Sequence, residues 1–383
     1  MLWIVVFPAS VKTFILSVYI KQIMKIILLL PLQNTKYSIL YNIYRDIYEA
    51  ILEMGIPIKI VEIKLTGTIR YPYGDTEFID KTEIVNLEML DDTYIVTVDD
   101  HGLIRYLSGV RPIKNLLIWA TYFYGAKFLF QSYRNRDYSN EHSLKPLSFV
   151  KIYGIIPQSV GLRISKFYSK TLKLYPVVSQ SVWAGLLLER VYSIRTLGIL
   201  RIPVDPEIYE VSLNAVREGI LVFLGNNEET DLLSLFNVIN IIKISQKNIK
   251  LDYFGDSQSG KTFQERYGIR MNYLGKIERK ELSIQYSTHV ATIAPIYNGN
   301  FEMVPIESLL CGTPVISFLQ PFLEVLGESF LVANINNLNE IERKTKSWFL
   351  LDVKQREVEK NKILDQMNNK IIARQLIEYL HDL

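Results

Sequence analysis

Short apolar runs alternate with segments of helical periodicity along most of this chain, and this alternation constrains the fold more than any other feature. Runs such as Ile26–Leu30 and Thr93–Val98 have the length of buried strands. Between them, Tyr37–Gly55 places isoleucines at helical spacing and ends at a glycine suited to a helix C-cap. Strands that alternate with helices indicate a parallel sheet. The sequence therefore predicts an α/β protein.

The alternation runs once through the first half of the chain and then restarts. In the first half, the further predicted strands are Ile56–Ile63, Leu117–Phe123, Ser148–Ile156 and Leu174–Ser181. In the second half, a strand at Gly219–Gly225 precedes a helix at Asp231–Ser245. The remaining predicted strands are Ile249–Gly255, Arg270–Lys276, His289–Pro295 and Thr313–Phe318.

The length of 383 residues agrees with this division, because a single core rarely serves more than about 250–300 residues. We predict an N-terminal domain over residues 24–200 and a C-terminal domain over residues 201–353, with a ligand cleft between them. Residues 354–383 belong to one long amphipathic helix predicted over Val353–Leu383. Two such sheets with helices are the expected fold.

The N-terminus is apolar, but it does not have the pattern of a membrane span. Lys12, Lys21 and Lys25 interrupt residues 1–32, so no apolar run of about 18–20 residues remains. No clear signal-peptide cleavage site follows. We interpret residues 1–23 as an N-terminal extension, either a misassigned start or an arm that touches a membrane.

Charge and cysteine content limit the partners. The single cysteine, Cys311, excludes an intramolecular disulfide and a cysteine-built metal site, which fits a cytoplasmic protein. Fifteen Lys or Arg residues and three acids lie from Arg105 to Arg201, so this stretch has a net charge of about +12. The whole chain has a net charge of +3, so the rest of the chain is acidic. A basic block of this size favours an anionic partner.

The segment Gly161–Tyr175 concentrates this basic character. It interleaves Arg163, Lys166, Lys170 and Lys173 with the apolar Ile164, Phe167, Leu172 and Tyr175. This is the pattern of a surface helix for anionic lipid headgroups, which would place the protein peripherally at the inner membrane face. A solvated helix face explains it equally well, and without a recognition motif nucleic acid is the weaker partner.

Residues Gly255–Thr262 spell G-x-x-x-x-G-K-T, the letters of a phosphate-binding P-loop. Three features argue against a P-loop NTPase. The helix expected after the motif is short, no later strand ends in an aspartate that could hold Mg²⁺, and the motif follows the second strand of its domain rather than the first. A glycine turn with a solvated lysine is the alternative explanation.

The segment Tyr297–Phe318, YNGNFEMVPIESLLCGTPVISF, is the most informative. It predicts a loop, then a short helix that has Pro305 in its first turn, then a buried strand. The free N–H groups near Met303 and Val304 suit a diphosphate, and Glu307 could accept hydrogen bonds from a ribose diol. The same letters also describe an ordinary loop, helix and strand.

This segment resembles the E-x-F-G-x-x-x-x-E-A-x-A-x-G-x-P-V signature of the retaining GT-B glycosyltransferases, the family 4-like group 1 enzymes. Other similar stretches are Pro176–Ala184, Arg201–Glu210, Phe223–Asn227, the YFGDSQSG loop from Tyr253, and Tyr273–Pro295. The resemblance implies two Rossmann-like domains that face a cleft, and a C-terminal helix that crosses back to the first domain. It also explains the P-loop letters without an NTPase, because YFGDSQSG is similar to a loop of this family.

The resemblance implies a hexosyltransferase that uses a UDP- or GDP-linked sugar, retains the anomeric configuration, and needs no metal or cofactor. The acceptor would be a glycan, a lipid-linked molecule or a protein. The implied donor-binding residues are Glu307, Met303, Val304, Glu302, Gly225, Asn226, Lys261 and Lys276, and the implied catalytic residues are Asp100 and His101. The alternative for His101 is a surface position, because a lone histidine in a turn is more often a surface residue.

Two departures from the family pattern favour a second hypothesis, a catalytically degenerate GT-B binding or scaffold protein. The first glutamate of the signature is Gly299 here. The loop after the first strand of the second domain, GNNEETD, has no Arg or Lys to neutralise a diphosphate. Lys261 and Lys276 are the candidates to supply that charge.

Overall fold

The computed structural model describes residues 24–31, 39–64, 77–80, 93–99, 103–104, 107, 112–121, 168–209, 215–225, 230–296, 302–318 and 322–383. Within these ranges the chain forms two parallel sheets. The first sheet has seven strands: β1 (Lys25–Pro31), β2 (Ile58–Lys64), β3 (Glu77–Asp80), β4 (Thr93–Val98), β5 (Leu116–Ala120), β6 (Val177–Ser179) and β7 (Gly198–Ile199). The second has six: β8 (Ile220–Leu224), β9 (Leu251–Gly255), β10 (Asn272–Tyr273), β11 (Ala291–Ala294), β12 (Val315–Ser317) and β13 (Val332–Asn334).

Both sheets have the doubly wound strand order. The first runs β3-β2-β1-β4-β5-β6-β7 and the second β10-β9-β8-β11-β12-β13. In each sheet the order reverses beside the first strand, between β1 and β4 and between β8 and β11. Ligands of such sheets bind outside the carboxyl ends of the strands at this reversal. The two sheets divide between Ile199 and Ile220, and we call their halves of the chain the first and second domains.

Every predicted strand that falls on described residues overlaps an observed one, because the strands of a parallel sheet covered by helices on both faces are continuous apolar runs. The short strands β3, β7 and β13 were not predicted. All five residues of β5 and all four of β11 are buried. The predicted strand at Ser148–Ile156 lies outside the described residues.

The described helices cover these faces, and three of them bear on the site. They are α1 (Ile39–Glu53), α2 (Val182–Tyr192), α3 (Leu232–Ser245), α4 (Ser257–Tyr267), α5 (Arg279–Thr288), α6 (Met303–Leu310), α7 (Leu323–Leu326), α8 (Leu338–Trp348), α9 (Val353–Met367) and α10 (Asn369–His381). Helix α1 buries Ile43, Ile47 and Ile51 and ends at Gly55, whose φ of +75° is the predicted left-handed cap.

The prediction of one long C-terminal helix is wrong, because the chain leaves helical geometry at Asn368 (φ −53°, ψ 132°). The linker between the domains supplies hydrogen-bond partners for the backbone groups at this break. Val204 N–H donates to Met367 O (2.8 Å), and Asn369 N–H donates to Val204 O (3.0 Å). The Asn368 side chain caps α10 by accepting from Lys370 N–H. Asparagine at this position is a strong helix N-cap, so the pair of asparagines was the missed signal.

The predicted return to the first domain is confirmed, with the break as its corner. Helix α9 packs on α6 and α7 of the second domain, while α10 packs on α1 of the first. Within the described residues, no helix is both long and apolar enough to cross a bilayer.

Gly198 marks a close approach between α10 and the first sheet. A Cβ there would lie 2.1 Å from Tyr379 Oη, and that hydroxyl donates to Ile199 O (3.2 Å). Gly198→Ala should therefore destabilise the protein by about 1–3 kcal/mol, measured by urea unfolding. In a Tyr379→Ala background the same substitution should be nearly neutral, and an equal loss in both backgrounds would show that the contact is not the cause.

Candidate functional site

Helix α6 begins at the carboxyl edge of the second sheet, next to the strand reversal. It follows β11, with residues 297–301 between them outside the described ranges. Met303 and Val304 form its first turn and are buried, and Pro305 follows as predicted. The Glu302 side chain occupies the N-cap position without capping the helix. The predicted short helix is thus present at the edge where this fold binds ligands.

Glu307 lies in the middle of α6, half-buried, and both of its carboxylate oxygens accept hydrogen bonds. Tyr209 Oη donates to Oε1 (2.7 Å) and Tyr286 Oη donates to Oε2 (3.1 Å). A carboxylate has about four acceptor positions, so further lone pairs remain for ligand hydroxyls. The two tyrosines therefore fix the carboxylate and leave it able to accept from further hydroxyl groups.

Arg279, the first residue of α5, connects this pair to the first domain. Its Nε donates to Tyr209 Oη (2.8 Å), and its two terminal nitrogens donate to the Asp46 carboxylate (2.8 and 2.7 Å). Asp46 lies on α1 and is only 2% exposed. A continuous chain of hydrogen bonds therefore runs from the first domain to Glu307.

Burial and charge oppose each other at these groups. Burial raises the pKa of the Glu307 carboxyl above its usual range, while Arg279 and the two tyrosyl hydroxyls counteract the rise. Burial likewise raises the pKa of Asp46 against the effect of Arg279. Burial, together with the Glu307 charge, raises the pKa values of Tyr209 and Tyr286 well above normal, so both phenols stay protonated donors.

Arg217 holds the frame around Tyr286 and α6. Its guanidinium donates to the carbonyls of Tyr286 (3.3 Å) and Cys311 (2.9 Å), and to the Thr313 hydroxyl. Burial lowers the pKa of Arg217 to about 10. The carboxyl end of α5 and the end of α6 are thus joined by one side chain.

Four residues of this site were not predicted from the sequence: Tyr209, Tyr286, Arg279 and Asp46. All of them except Asp46 lie inside stretches that carry the family resemblance. Asp46 had a readable signal: an acid next to Ile43 and Ile47 on the apolar stripe of α1, where a charge needs a buried partner. Nothing in the sequence indicated which basic residue would be that partner.

The P-loop alternative is wrong, because its letters lie in a helix rather than in a loop. Asp256 caps α4 by accepting from Ser259 N–H (2.7 Å), and α4 starts at Ser257, earlier than expected. Gly260, Lys261 and Thr262 are therefore interior helix residues, and their N–H groups cannot cradle a phosphate.

The two glycines of that pattern have packing roles. Gly255 adopts φ +100°, and a Cβ there would lie 2.2 Å from Leu224 O. A Cβ on Gly260 would lie 2.3 Å from the Tyr253 ring. Close packing between β8, β9 and α4 therefore explains both glycines without a nucleotide.

The other described residues that were predicted to bind the donor make no hydrogen bond or ion pair with the Glu307 carboxylate. Lys261 and Lys276 are exposed, and neither has a partner among the described residues. Lys276 follows Gly275, a turn residue with φ +83°. The Gly225 carbonyl, just after β8, lies 2.8 Å from Ser259 Oγ. Asn226 and the departure at Gly299 lie outside the described residues.

In the first domain, Asp100 and His101 also lie outside the described residues, so their predicted catalytic role stays a prediction. Their neighbour Asp99, directly after β4, is fully buried. It accepts from Thr121 N–H and from Tyr168 Oη, both at 2.6 Å. Asp99 therefore joins the end of β4 to Thr121 and Tyr168.

The proposed lipid-facing pattern is partly wrong. Leu172 and Tyr175, two of its apolar members, are buried in the first-domain core and cannot insert into a lipid surface. Lys170 and Lys173 are exposed, so an electrostatic contact with anionic lipid stays a prediction.

The domains also meet at the start of α2. The Glu324 carboxylate on α7 accepts from Val182 N–H and Trp183 N–H, both at 2.7 Å. A carboxylate at a helix N-terminus is favourable because the free N–H groups and the helix dipole both point at it.

In the described ranges, no group of three His, Cys, Asp or Glu side chains is arranged as a metal site, and metal independence stays a prediction.

Comparison with known proteins agrees with this architecture. The family model "Glycosyl transferases group 1" matches residues 218–348, which contain both α5 and α6. A search of curated protein sequences finds no match.

Solved structures match almost the whole chain at low identity. A sucrose-phosphate synthase from Thermosynechococcus elongatus superposes with a TM-score of 0.66 at 15% identity, covering 94% of this chain and 98% of that one. A UDP-forming α,α-trehalose-phosphate synthase from Burkholderia xenovorans in complex with glucose-6-phosphate gives 0.64 at 10%, covering 93% and 100%. An α-glucosyltransferase in complex with UDP and a 13-mer DNA gives 0.59 at 10%, covering 94% and 100%.

At these identities the structural likeness establishes the fold, and the family match covers most of the second domain. Together they confirm the resemblance read from the sequence. This chain has the GT-B fold, and its residues 218–348 match the family of group 1 glycosyl transferases.

Proposed function

We propose that this protein transfers a sugar from a nucleotide-sugar donor to an acceptor hydroxyl, with retention at the anomeric carbon and without a metal. The observation that carries the proposal is Glu307. It lies on α6, which begins at the carboxyl edge of the second sheet, and two tyrosyl hydroxyls fix its carboxylate with acceptor positions left. That is what the binding of a ribose diol requires.

The start of α6 supports the same proposal. The N–H groups of Met303 and Val304 belong to the uncapped first turn of this helix, where a diphosphate is favoured. Stabilising the charge that develops on the departing nucleoside diphosphate is the main catalytic task of such a transfer. The exposed Lys261 and Lys276 are the proposed additional sources of positive charge.

The donor is proposed to be UDP-linked, with GDP-linked sugars as the alternative. Two solved relatives are described as UDP-forming or as bound to UDP. One relative was solved with glucose-6-phosphate, so a sugar phosphate joins glycans, lipid-linked molecules and proteins as an acceptor class.

The experiment is to incubate the protein in EDTA with UDP- and GDP-sugars and an acceptor panel, and to follow the products by NMR. Transfer with the anomeric configuration of the donor supports the proposal. Transfer with inversion, or only with added Mg²⁺ or Mn²⁺, contradicts the proposed mechanism.

The degenerate binding protein remains the second candidate, because the GNNEETD loop has three acids and no base. A degenerate protein should bind a nucleoside diphosphate but release no sugar from any donor, even when the protein is in stoichiometric excess. Single-turnover release of the nucleoside diphosphate would exclude it.

Donor binding should depend on pH through Glu307. An ionised carboxylate accepts hydrogen bonds better than a protonated one, and burial raises the pKa of Glu307. Binding should therefore weaken as the pH falls, starting at a higher pH than for an ordinary glutamate. In Tyr209→Phe the loss of a hydrogen bond to the ionised form should move this midpoint to still higher pH.

Calorimetric titration with UDP at a series of pH values checks this expectation. Protonation of the ligand phosphate affects parent and variant equally, so the difference between their midpoints isolates the protein. Identical midpoints would show that Glu307 is not the titrating group.

A further inference from the structure

A charged contact between the two domains ends at the proposed ribose-binding carboxylate. We propose that Asp46 and Arg279 position Glu307 across the domain boundary, so that donor binding depends on the docking of first-domain helix α1. The inference rests on the proposed role of Glu307 in donor binding. It assigns Asp46, Arg279 and Tyr209 as positioning residues that act through that carboxylate.

The direction of each hydrogen bond gives the physical basis. Arg279 has only donors, so the Tyr209 oxygen must accept from its Nε (2.8 Å). The single Tyr209 hydroxyl proton is then directed to Glu307 Oε1 (2.7 Å). Arg279 thus determines which way Tyr209 donates, and Tyr209 holds one oxygen of the carboxylate.

Asp46 determines the orientation of Arg279. It accepts from both terminal guanidinium nitrogens (2.8 and 2.7 Å), a bidentate geometry that fixes the plane of the group. The guanidinium also lies over the Tyr209 ring, 5.4 Å from its centroid. Without the Asp46 carboxylate, the guanidinium loses the only charged group that it contacts among the described residues. Its Nε, which directs the Tyr209 hydroxyl, is then free to turn away.

The surroundings allow little alternative arrangement. Asp46 is 2% exposed and Tyr209 is fully buried. The Tyr209 carbonyl accepts from Lys360 Nζ on α9 (2.7 Å), which holds the backbone of the linker as well. A displacement of α1 from the second domain would therefore be transmitted along this chain to Glu307.

The test is a double-mutant cycle on UDP affinity, measured by calorimetry with the full-length protein. Asp46→Asn and Tyr209→Phe should each weaken UDP binding about five- to tenfold, the size of one lost hydrogen bond. The double variant should bind no worse than the weaker single variant, because both changes break one chain. Tyr209→Phe removes a single oxygen, so it tests the inference even if Asp46→Asn folds poorly.

Glu53→Gln is the matched control. Glu53 also lies on α1 and reaches across to α10, through an exposed pair with Lys370 (3.0 Å), but it is not part of the chain to Glu307. Its UDP affinity should stay within about twofold of the parent, since exposed pairs contribute little.

The outcomes separate the inference from the proposed function. If Glu307→Gln weakens UDP binding about ten- to a hundredfold while Asp46→Asn and Tyr209→Phe bind like the parent, the inference is wrong and the donor site stands. The inference would also be overturned if the loss of UDP affinity in the double variant equalled the product of the two single losses. If the parent binds neither UDP nor GDP, both fail.

Discussion

Glu307→Gln is expected to weaken nucleoside diphosphate binding by about ten- to a hundredfold, because each hydrogen bond to a charged acceptor contributes about 1.5–3 kcal/mol. The substitution keeps the shape of the side chain but removes its charge. It also replaces one of the two oxygens that accept from Tyr209 and Tyr286 with a donor. Transfer should fall at least as much as binding, measured as kcat/KM.

Glu342→Gln provides the matched control for this change. Glu342 lies on α8 in an exposed pair with Lys346 (2.8 Å), so the same chemical change there should alter neither affinity nor stability measurably. If Glu307→Gln binds UDP or GDP as tightly as Glu342→Gln does, the ribose site lies elsewhere.

Arg279→Leu should have the largest effect on stability, a loss of about 3–5 kcal/mol in the free energy of unfolding. The arginine is the ion-pair partner of buried Asp46 and opposes the pKa rise of Glu307, so its removal leaves Asp46 without that partner and Glu307 with the two tyrosyl hydroxyls alone. Urea unfolding followed by circular dichroism measures the loss.

Two variants show whether the missing charge pair is the cause. Arg343→Met removes an exposed arginine on α8 and should change stability by less than about 0.5 kcal/mol. Asp46→Leu in the Arg279→Leu background should restore part of the loss, because an apolar pair can replace a buried ion pair. A double variant that is less stable than Arg279→Leu alone would contradict this explanation.

Much of the fold could be predicted from local pattern. Runs such as Thr93–Val98 are buried strands because parallel sheets are covered on both faces. The boundary of the C-terminal helices could not be predicted as easily. Their break at Asn368 depends on Val204, a residue more than 160 positions away that pairs with the interrupted backbone.

Only the part of the candidate site that forms one contiguous segment could be predicted from the sequence. Glu307 and the first turn of α6 form one contiguous segment, so their sequence pattern carried them. Asp46 and Arg279 come together through the docking of two domains, and no local pattern encodes that contact. The P-loop letters show the converse, since a matching pattern can arise from the packing needs of Gly255 and Gly260.

The most direct test is a crystal structure of this protein with the nucleoside diphosphate that it binds most tightly. We expect the ribose hydroxyls to donate to Glu307 at about 2.6–2.8 Å, with the diphosphate against the first turn of α6. Tyr209 and Arg279 should keep their present contacts. A nucleotide whose ribose contacts another residue, or whose diphosphate lies away from the first turn of α6, would contradict the account.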